Sequence, residues 1–287
     1  MASLKETKGR IASVKSTLKI TSAMKMVASA KLHKAQNAIG SMTPYERKLR
    51  EMLQLLLRVA HFPEDTPANP QPKTVAIVAV ASNSSLCGGF NGNVIRDVKA
   101  RINELKKEDV EVEVFSVGKK IAEAMKKFGY PSARDWNELV GHTSYAQADE
   151  LAKELQKGFN EGKYDRVEVI YNHFVSTATQ KVVRETYLPM GMPDLSGEES
   201  RDWPEDLIIE PSPEEMLAAL LPRVRSLRIY TVFLDSVAAE HAARTIAMQT
   251  ATDNGENILQ DLTLEYNKGR QQKITSEILD IVGGSMQ

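Results

Sequence analysis

The sequence is poor in the residues that mark secreted and membrane-spanning proteins. It has one cysteine, Cys87, among 287 residues, so no intramolecular disulfide can form and a reducing compartment is expected. No run of 18 apolar residues occurs, so we expect no membrane-spanning helix. The first residues, MASLKETKGR, lack the apolar core and cleavage site of a secretory signal.

The chain is equally poor in patterns that build a catalytic or metal site. Its five histidines are scattered, with no HxxxH pair and no cysteine partner, so no metal site is predicted. No nucleophile-elbow motif is present. We therefore predict no catalytic residue, no cofactor and no metal, and we interpret the chain as a protein that is not an enzyme by itself.

Acidic residues are scarce near the N-terminus. Residues 1–50 contain eleven Lys and Arg against two acids, a local charge of +9, whereas the whole chain has a formal charge of −1. This asymmetry favours a basic helix that faces an acidic or anionic partner, although a solvated lysine-rich face fits equally well. Nucleic acid is a weaker candidate, because no aromatic residue precedes Tyr45 in the basic segment.

A heptad-like stripe runs along the N-terminal sixty residues. Its members are Ile11, Val14, Leu18, Thr21, Lys25, Ala28, Leu32, Ala35, Ile39, Met42, Glu46, Leu49, Leu53, Leu56 and Ala60. Only two of these are charged, and the small residues in the middle allow a partner helix to approach closely. The pattern predicts a coiled-coil helix over residues 1–60. Because the register continues past Pro44, we expect a bent but continuous helix there.

A second stripe returns near the C-terminus and predicts a helix over residues 212–283. Its members are Leu217, Leu220, Val224, Leu227, Thr231, Leu234, Ala238, His241, Thr245, Met248, Thr252, Gly255, Leu259, Leu262 and Tyr266. About 60 helical residues span roughly 90 Å, whereas a globule of this chain length is about 50 Å across. We therefore expect the two helices to project and to bury their stripes in a long antiparallel coiled coil.

The segment between the helices alternates strands with helices. Strands are predicted at 74–81, 110–117, 166–174 and 180–188, and helices at about 92–107, 119–128 and 145–161. This order is typical of an α/β fold with a mainly parallel sheet, and the last two strands add an antiparallel edge. We expect a Rossmann-like α/β domain over residues 73–195, with linkers at 61–73 and 189–213.

The glycine-rich stretch SLCGGFNGN, residues 85–93, lies between a strand and a helix, where a turn can hold a phosphate. Its spacing matches neither GxGxxG nor GxxxxGK[ST], and the next strand ends without an acidic residue for a ribose. A tight turn with a half-buried Cys87 is the favoured interpretation. A nucleotide-binding α/β enzyme is kept as the alternative.

The end of the last helix departs from the stripe. Beyond Tyr266 the apolar positions shift to Ile274, Ile278 and Ile281, out of the preceding register. The polar residues alongside them are Arg270, Gln271, Thr275 and Glu277. A frayed, solvated helix end is possible, but β-branched residues at one-turn spacing favour a surface for a partner.

Three stretches together resemble one protein family. RIASVKSTLKITSAMKMVASAKLHKAQ near the start, LCGGFN in the middle, and ATDN, LEYNKGRQQ and ITSEILDIVGG at the end are similar to gamma subunits of bacterial F-type ATP synthases. The chain departs from the family pattern in having Asn83 and Ser85 where Asp and Gly are usual, and Gly269 where Ala is common. It also ends the last motif with Gly283 and Gly284 instead of Gly-Ala.

The resemblance implies a non-catalytic rotor whose coiled coil turns inside a ring of three alpha and three beta subunits, driven by ion flow through a membrane c ring. It also implies contact with an epsilon subunit and a peripheral place on the cytoplasmic face of the cell membrane. The contact residues that it carries over are Met26, Arg244, Arg270, Gln271, Thr275 and Glu277. Ile274, Ile278 and Ile281 resemble the tip that turns within an apolar sleeve, and the basic N-terminal segment suits acidic loops of the beta subunits.

Overall fold

The structure, a computed structural model, describes residues 3–59, 71–141, 143–190 and 208–284, so most of both predicted linkers and Ala60 lie outside the described residues. The elements in chain order are α1 (Leu4–Val59), β1 (Thr74–Val80), α2 (Phe90–Lys107), β2 (Glu111–Val117), α3 (Lys119–Phe128), α4 (Glu138–Gly141), α5 (Tyr145–Asn160), β3 (Arg166–Phe174), β4 (Gln180–Leu188) and α6 (Pro213–Gly284). They form two compact units, residues 1–30 with 244–287, and residues 31–243. Within the described residues, no helix is long and apolar enough to cross a membrane.

The four strands form one mixed sheet in the order β2-β1-β3-β4. β1 pairs in parallel with β2 and β3, and β4 pairs antiparallel with β3 at the edge. The central strand β1, TVAIVAV, is buried along nearly its whole length, which explains its uninterrupted apolar sequence. The Rossmann-like region with an antiparallel edge is therefore confirmed, between a long N-terminal helix and a long C-terminal helix.

Helices cover both faces of this sheet. On one face α2 and α3 contribute the fully buried Ile102 and Met125. On the other face α5 contributes Leu151, and α6 contributes Val232 and Phe233. The C-terminal helix is thus part of the domain core as well as a partner for α1, because its apolar residues in this stretch occupy more than one face.

In the unit formed by residues 31–243, α1 and α6 pack antiparallel along the predicted stripes. One cluster joins Leu53 of α1 to Leu220 of α6, and another joins Leu32 to Ala242, so residue numbers run in opposite directions along the contact. α1 is continuous through Pro44 and α6 through Pro222, and both prolines are exposed.

Three local expectations differ from the structure. α2 begins at Phe90 instead of Gly92, because the Phe90 amide already donates to the Cys87 carbonyl (3.2 Å) and the Phe90 ring is buried. The segment between the predicted helices at 119–128 and 145–161, for which no helix was predicted, contains the short helix α4. Cys87 is 1% exposed, and is therefore fully buried instead of half-buried.

Candidate functional site

All nine residues singled out by the sequence lie in the unit formed by residues 1–30 and 244–287, a helical pair. Its seam holds polar contacts: Thr21 Oγ1 lies 2.8 Å from Thr252 Oγ1, and Lys25 Nζ donates to Gln249 Oε1 at 2.7 Å. Thr21 is buried despite its hydroxyl, because that hydroxyl finds a partner across the seam and a second one in the Leu18 carbonyl.

Glycines bring the two helices close together. A Cβ atom added to Gly255 would lie 2.7 Å from Leu18 Cδ2, and one added to Gly269 would lie 3.1 Å from Leu4 Cδ2. The seam therefore has room for a hydrogen atom at these positions but little for a methyl group. It also continues one turn beyond Tyr266, the last member of the predicted stripe.

Among the described residues, the last contact of the seam lies at Gly269, while α6 continues to Gly284. Gly269 faces Leu4, the first residue of α1, and every side chain from Arg270 to Val282 is exposed. The apolar side chains in this last segment, with their exposed fractions, are Ile274 48%, Ile278 55%, Leu279 64%, Ile281 71% and Val282 50%. We call residues 270–284 the helical tip. It presents a contiguous apolar stripe that no described residue of α1 extends far enough to cover.

In the part of the chain that the structure describes, the polar side chains of the tip make local contacts of modest strength. Thr275 Oγ1 donates to the Gln271 carbonyl at 2.9 Å, and Lys273 pairs with Glu277 at 3.6 Å. Exposed pairs of this kind contribute a few tenths of a kcal/mol. The side chains of Arg270, Gln271 and Glu277 are therefore available for directed contacts at little cost.

Met26 and Arg244 lie in the helical pair but outside the tip. Met26 is 63% exposed on the outer face of α1. Arg244, in contrast, is 9% exposed, so most of its side chain is covered within this chain. Arg244 and Arg270 are 26 residues apart on one helix, which corresponds to about 39 Å. The nine residues therefore form an elongated surface and not one pocket.

The glycine-rich turn is filled by its own side chains. Asn91 Oδ1 accepts from the Ser82 amide (3.0 Å) and hydroxyl (2.9 Å), and Asn91 Nδ2 donates to the Ser84 carbonyl (3.1 Å). Cys87 and Phe90 pack against Ala239 of α6. The turn thus docks the sheet on the C-terminal helix, a role that its sequence did not reveal, and this arrangement does not favour a phosphate site.

Two charged residues of α6, Arg228 and Asp235, contact the sheet and were also missed. Burial lowers the pKa of the Arg228 guanidinium, but Glu185 beside it outweighs burial, so the pKa is raised. The partners of Arg228 and Asp235 lie 43 and 62 residues away in the chain, and a separation of that size leaves no local pattern. Among the described residues, no group of three His, Cys, Asp or Glu side chains could hold a metal ion.

Comparison with known proteins gives one consistent result. A family model described as ATP synthase matches residues 3–286. The ATP synthase gamma chain of Phocaeicola vulgatus is 52% identical over 289 residues, covering 100% of both chains. The gamma chain of Bacteroides thetaiotaomicron is 51% identical with the same coverage. That of Flavobacterium johnsoniae is 42% identical, covering 99% of this chain and 98% of the relative.

Solved structures show the same fold at lower identity. A chain of the Euglena gracilis mitochondrial ATP synthase (OSCP/F1/c-ring, rotational state 3) aligns with a TM-score of 0.67 at 21% identity, covering 99% of this chain and 93% of that one. A chain of the Tetrahymena thermophila mitochondrial ATP synthase central stalk and c-ring gives 0.59 at 22% identity, covering 81% and 99%. With its sequence relatives matched from end to end, the chain belongs to the ATP synthase gamma chain family.

Proposed function

We propose that this chain is the central-stalk rotor of an F-type ATP synthase, a non-catalytic subunit that couples ion flow through the c ring to rotary ATP synthesis or hydrolysis in a ring of three alpha and three beta subunits. The observation that carries the proposal is the helical tip, where α6 outlasts its partner helix and exposes an apolar stripe. Because the chain belongs to the gamma chain family, we assign this stripe to contact with other subunits of the synthase.

The mechanism follows from asymmetry. A rotor can shift the binding states of surrounding subunits only if it contacts each of them differently. The pair of helices has one basic, lysine-rich side contributed by α1, whereas the tip is a single helix with its isoleucines on one stripe. As such a body turns, each neighbouring subunit meets a different surface in sequence, and its nucleotide affinity changes accordingly.

The contact residues belong to the same proposal. Met26, Arg270, Gln271, Thr275 and Glu277 meet the alpha and beta subunits through exposed side chains, and Arg244 does so through the part of its side chain that stays accessible. Ile274, Ile278 and Ile281 turn within an apolar sleeve. Burying the exposed parts of three isoleucines contributes about 3–5 kcal/mol. Because the hydrophobic effect is non-directional, this favours insertion of the tip without selecting one angle.

The remaining partners are the epsilon subunit and the c ring, and the chain meets the membrane only indirectly through that ring. We place it at the cytoplasmic face of the cell membrane as a peripheral subunit. The alternative of a nucleotide-binding α/β enzyme is not favoured, because the glycine-rich turn is closed by Asn91 and packed on α6.

Co-expression with the alpha and beta chains of one bacterium tests the rotor assignment. Native mass measurement should give one copy of this chain with three alpha and three beta chains. If no complex of that stoichiometry forms, the rotor assignment fails.

A triple variant, Ile274→Ser, Ile278→Ser and Ile281→Ser, tests the tip. It should assemble poorly and should lower ATP-driven ion pumping relative to ATP hydrolysis. Val175→Ser is the matched control, since it removes an apolar side chain of similar exposure (49%) from the sheet-bearing unit. Equal pumping by the triple variant and the control would show that the tip is not a contact surface.

A further inference from the structure

Two charged residues fasten the sheet to α6. Arg228 donates to Glu185 of β4 from Nη2 (2.6 Å) and Nε (3.1 Å), and its Nη1 lies 3.8 Å from Glu46 of α1. Asp235 accepts from the Phe174 amide at the end of β3 (2.9 Å), and its second oxygen lies 2.5 Å from His173 Nδ1. Each contact is therefore bidentate, and each joins the helix to a different strand.

The distance between the two contacts is similar along α6 and along the sheet. Arg228 and Asp235 are two turns apart on one face of α6, a rise of about 10 Å. In the sheet, Glu185 pairs with Val169, which lies four residues before His173 on β3, a distance of about 13 Å. α6 thus runs along β3, and the polar contacts lie at the two ends of that run.

Between these ends the contact is apolar. Ile229, Val232 and Phe233 are buried in the core beneath the sheet, and beyond Asp235 the helix presents Ala238 and Ala239. Apolar packing resists separation of the two surfaces but is non-directional. Alanine side chains are also too small to form ridges that fit into the grooves of a neighbouring element. Charge-assisted bidentate hydrogen bonds are directional, so they resist a swivel of the sheet about the apolar contact.

We propose that Arg228 and Asp235 are positioning residues that fix the angle between the α/β sheet and α6 and carry torque between them. The inference rests on the proposed rotor function, because only a rotor loads this junction. If the two residues have a purely structural role, replacing them lowers only the stability of the isolated chain. If they also bear torque, replacing them lowers the torsional stiffness of the assembled rotor as well.

Two substitutions that keep most of the local packing separate these roles. Arg228→Met keeps the packing of the stem and removes the guanidinium, and Asp235→Asn keeps an acceptor for the Phe174 amide while removing the charge beside His173. The matched control is Arg184→Met, which breaks an equally close bidentate pair with Asp97 between β4 and α2 (2.6 and 2.8 Å) without touching α6. Circular dichroism of each isolated chain verifies folding.

Torsional stiffness is measured on the complete complex with its alpha–beta ring immobilised. Cys87, the only native cysteine, is buried, so Lys127→Cys on the exposed face of α3 offers one reactive thiol for a bead. The angular variance of the bead at a catalytic pause should rise about twofold in the double variant, because the Arg228–Glu185 contact is lost and the contact at position 235 keeps only a neutral acceptor. The control should match the unmodified rotor.

The outcomes are separable. If the double variant and Arg184→Met have the same angular variance, the junction does not bear torque and the inference is wrong. If the variance rises while ATP-driven pumping per ATP hydrolysed falls in the double variant alone, the inference holds. If the bead-labelled rotor that keeps Arg228, Asp235 and Arg184 never turns in the ring, the rotor function itself fails, independently of these residues.

Discussion

The two units of this protein are stabilised by different kinds of interior. In the unit of residues 31–243, large apolar side chains such as Ile102, Leu151 and Phe233 are fully buried on both faces of a sheet. In the helical pair of residues 1–30 and 244–287, buried positions are few, and several are small or polar, such as Thr21 and Ala28. The first unit has a large apolar core of its own. The second has a narrow seam, and most of its described surface is exposed.

The largest expected effect is a loss of folding stability when the core of the sheet-bearing unit is truncated, compared with the same kind of change in the exposed tip. Phe233→Ala should lower the free energy of unfolding by about 3–5 kcal/mol, because it opens a cavity in the sheet-bearing core. Urea unfolding followed by tryptophan fluorescence, to which the buried Trp136 contributes, measures the change. Ile278→Ala in the exposed tip should cost less than about 0.5 kcal/mol. A similar loss in both variants would show that the tip is packed in the isolated chain.

The next prediction concerns the polar seam. Thr21→Val alone should cost about 1 kcal/mol in the helical pair, because it removes the cross-seam partner of the Thr252 hydroxyl, which then keeps only the Met248 carbonyl. The double change with Thr252→Val should cost less than the sum of the two single changes, since it leaves neither hydroxyl facing an apolar partner. Hydrogen exchange of the α1 amides around Thr21 gives the free energies. Strict additivity would mean that the 2.8 Å contact contributes nothing.

The seam glycines should respond with opposite signs. Gly269→Ala gains up to about 1 kcal/mol of helix propensity, and the neighbouring Leu4 side chain needs to move only a few tenths of an ångström from its 3.1 Å contact. Gly255→Ala gains the same propensity but places a methyl group 2.7 Å from Leu18 Cδ2, so crowding offsets the gain and the net effect is destabilising by up to about 1 kcal/mol. Thermal unfolding of both variants checks this. Equal stabilisation by both would contradict a tight seam.

The smallest effect at neutral pH lies in the sheet-bearing unit. The Tyr187 hydroxyl is buried beside Gln156 and makes at most a weak hydrogen bond there. Loss of that weak contact and removal of a desolvated hydroxyl largely offset each other, so Tyr187→Phe should change stability by less than about 0.5 kcal/mol at pH 7. Burial also raises the pKa of Tyr187 well above its ordinary value. Above pH ~10 the unfolded chain loses this proton while the folded chain keeps it, so stability falls as pH rises further.

Tyr187→Phe should therefore flatten that alkaline decline, which urea unfolding at intervals between about pH 9 and 12 would show. Tyr45→Phe is the control, since Tyr45 is 53% exposed. If both variants decline as steeply as the parent chain, burial of Tyr187 is not the cause of the loss.

The periodicity of apolar residues predicted the features that depend on a single helix or strand. The stripes through Leu53 and Leu220 and the apolar run of β1 follow from local spacing, because each element buries one defined face or both. What escaped prediction depends on distant pairing. The second apolar face of α6 at Phe233 and the contact of Arg228 with Glu185 require knowing that the sheet lies against that helix. The contacts of Met26 and the tip residues stay predictions, since their partners are other chains.

The glycine seam has a mechanical consequence. At Gly255 and Gly269 a leucine of α1 packs directly against the backbone of α6, which favours the lower end of the usual range of interaxial distances, about 8 Å. The torsional rigidity of a rod rises steeply with its radius, so such a pair twists more readily than one in which large side chains of both helices meet. We therefore expect the stretch of α6 that contains Gly255 and Gly269 to twist more readily under load than the stretch that packs on the sheet.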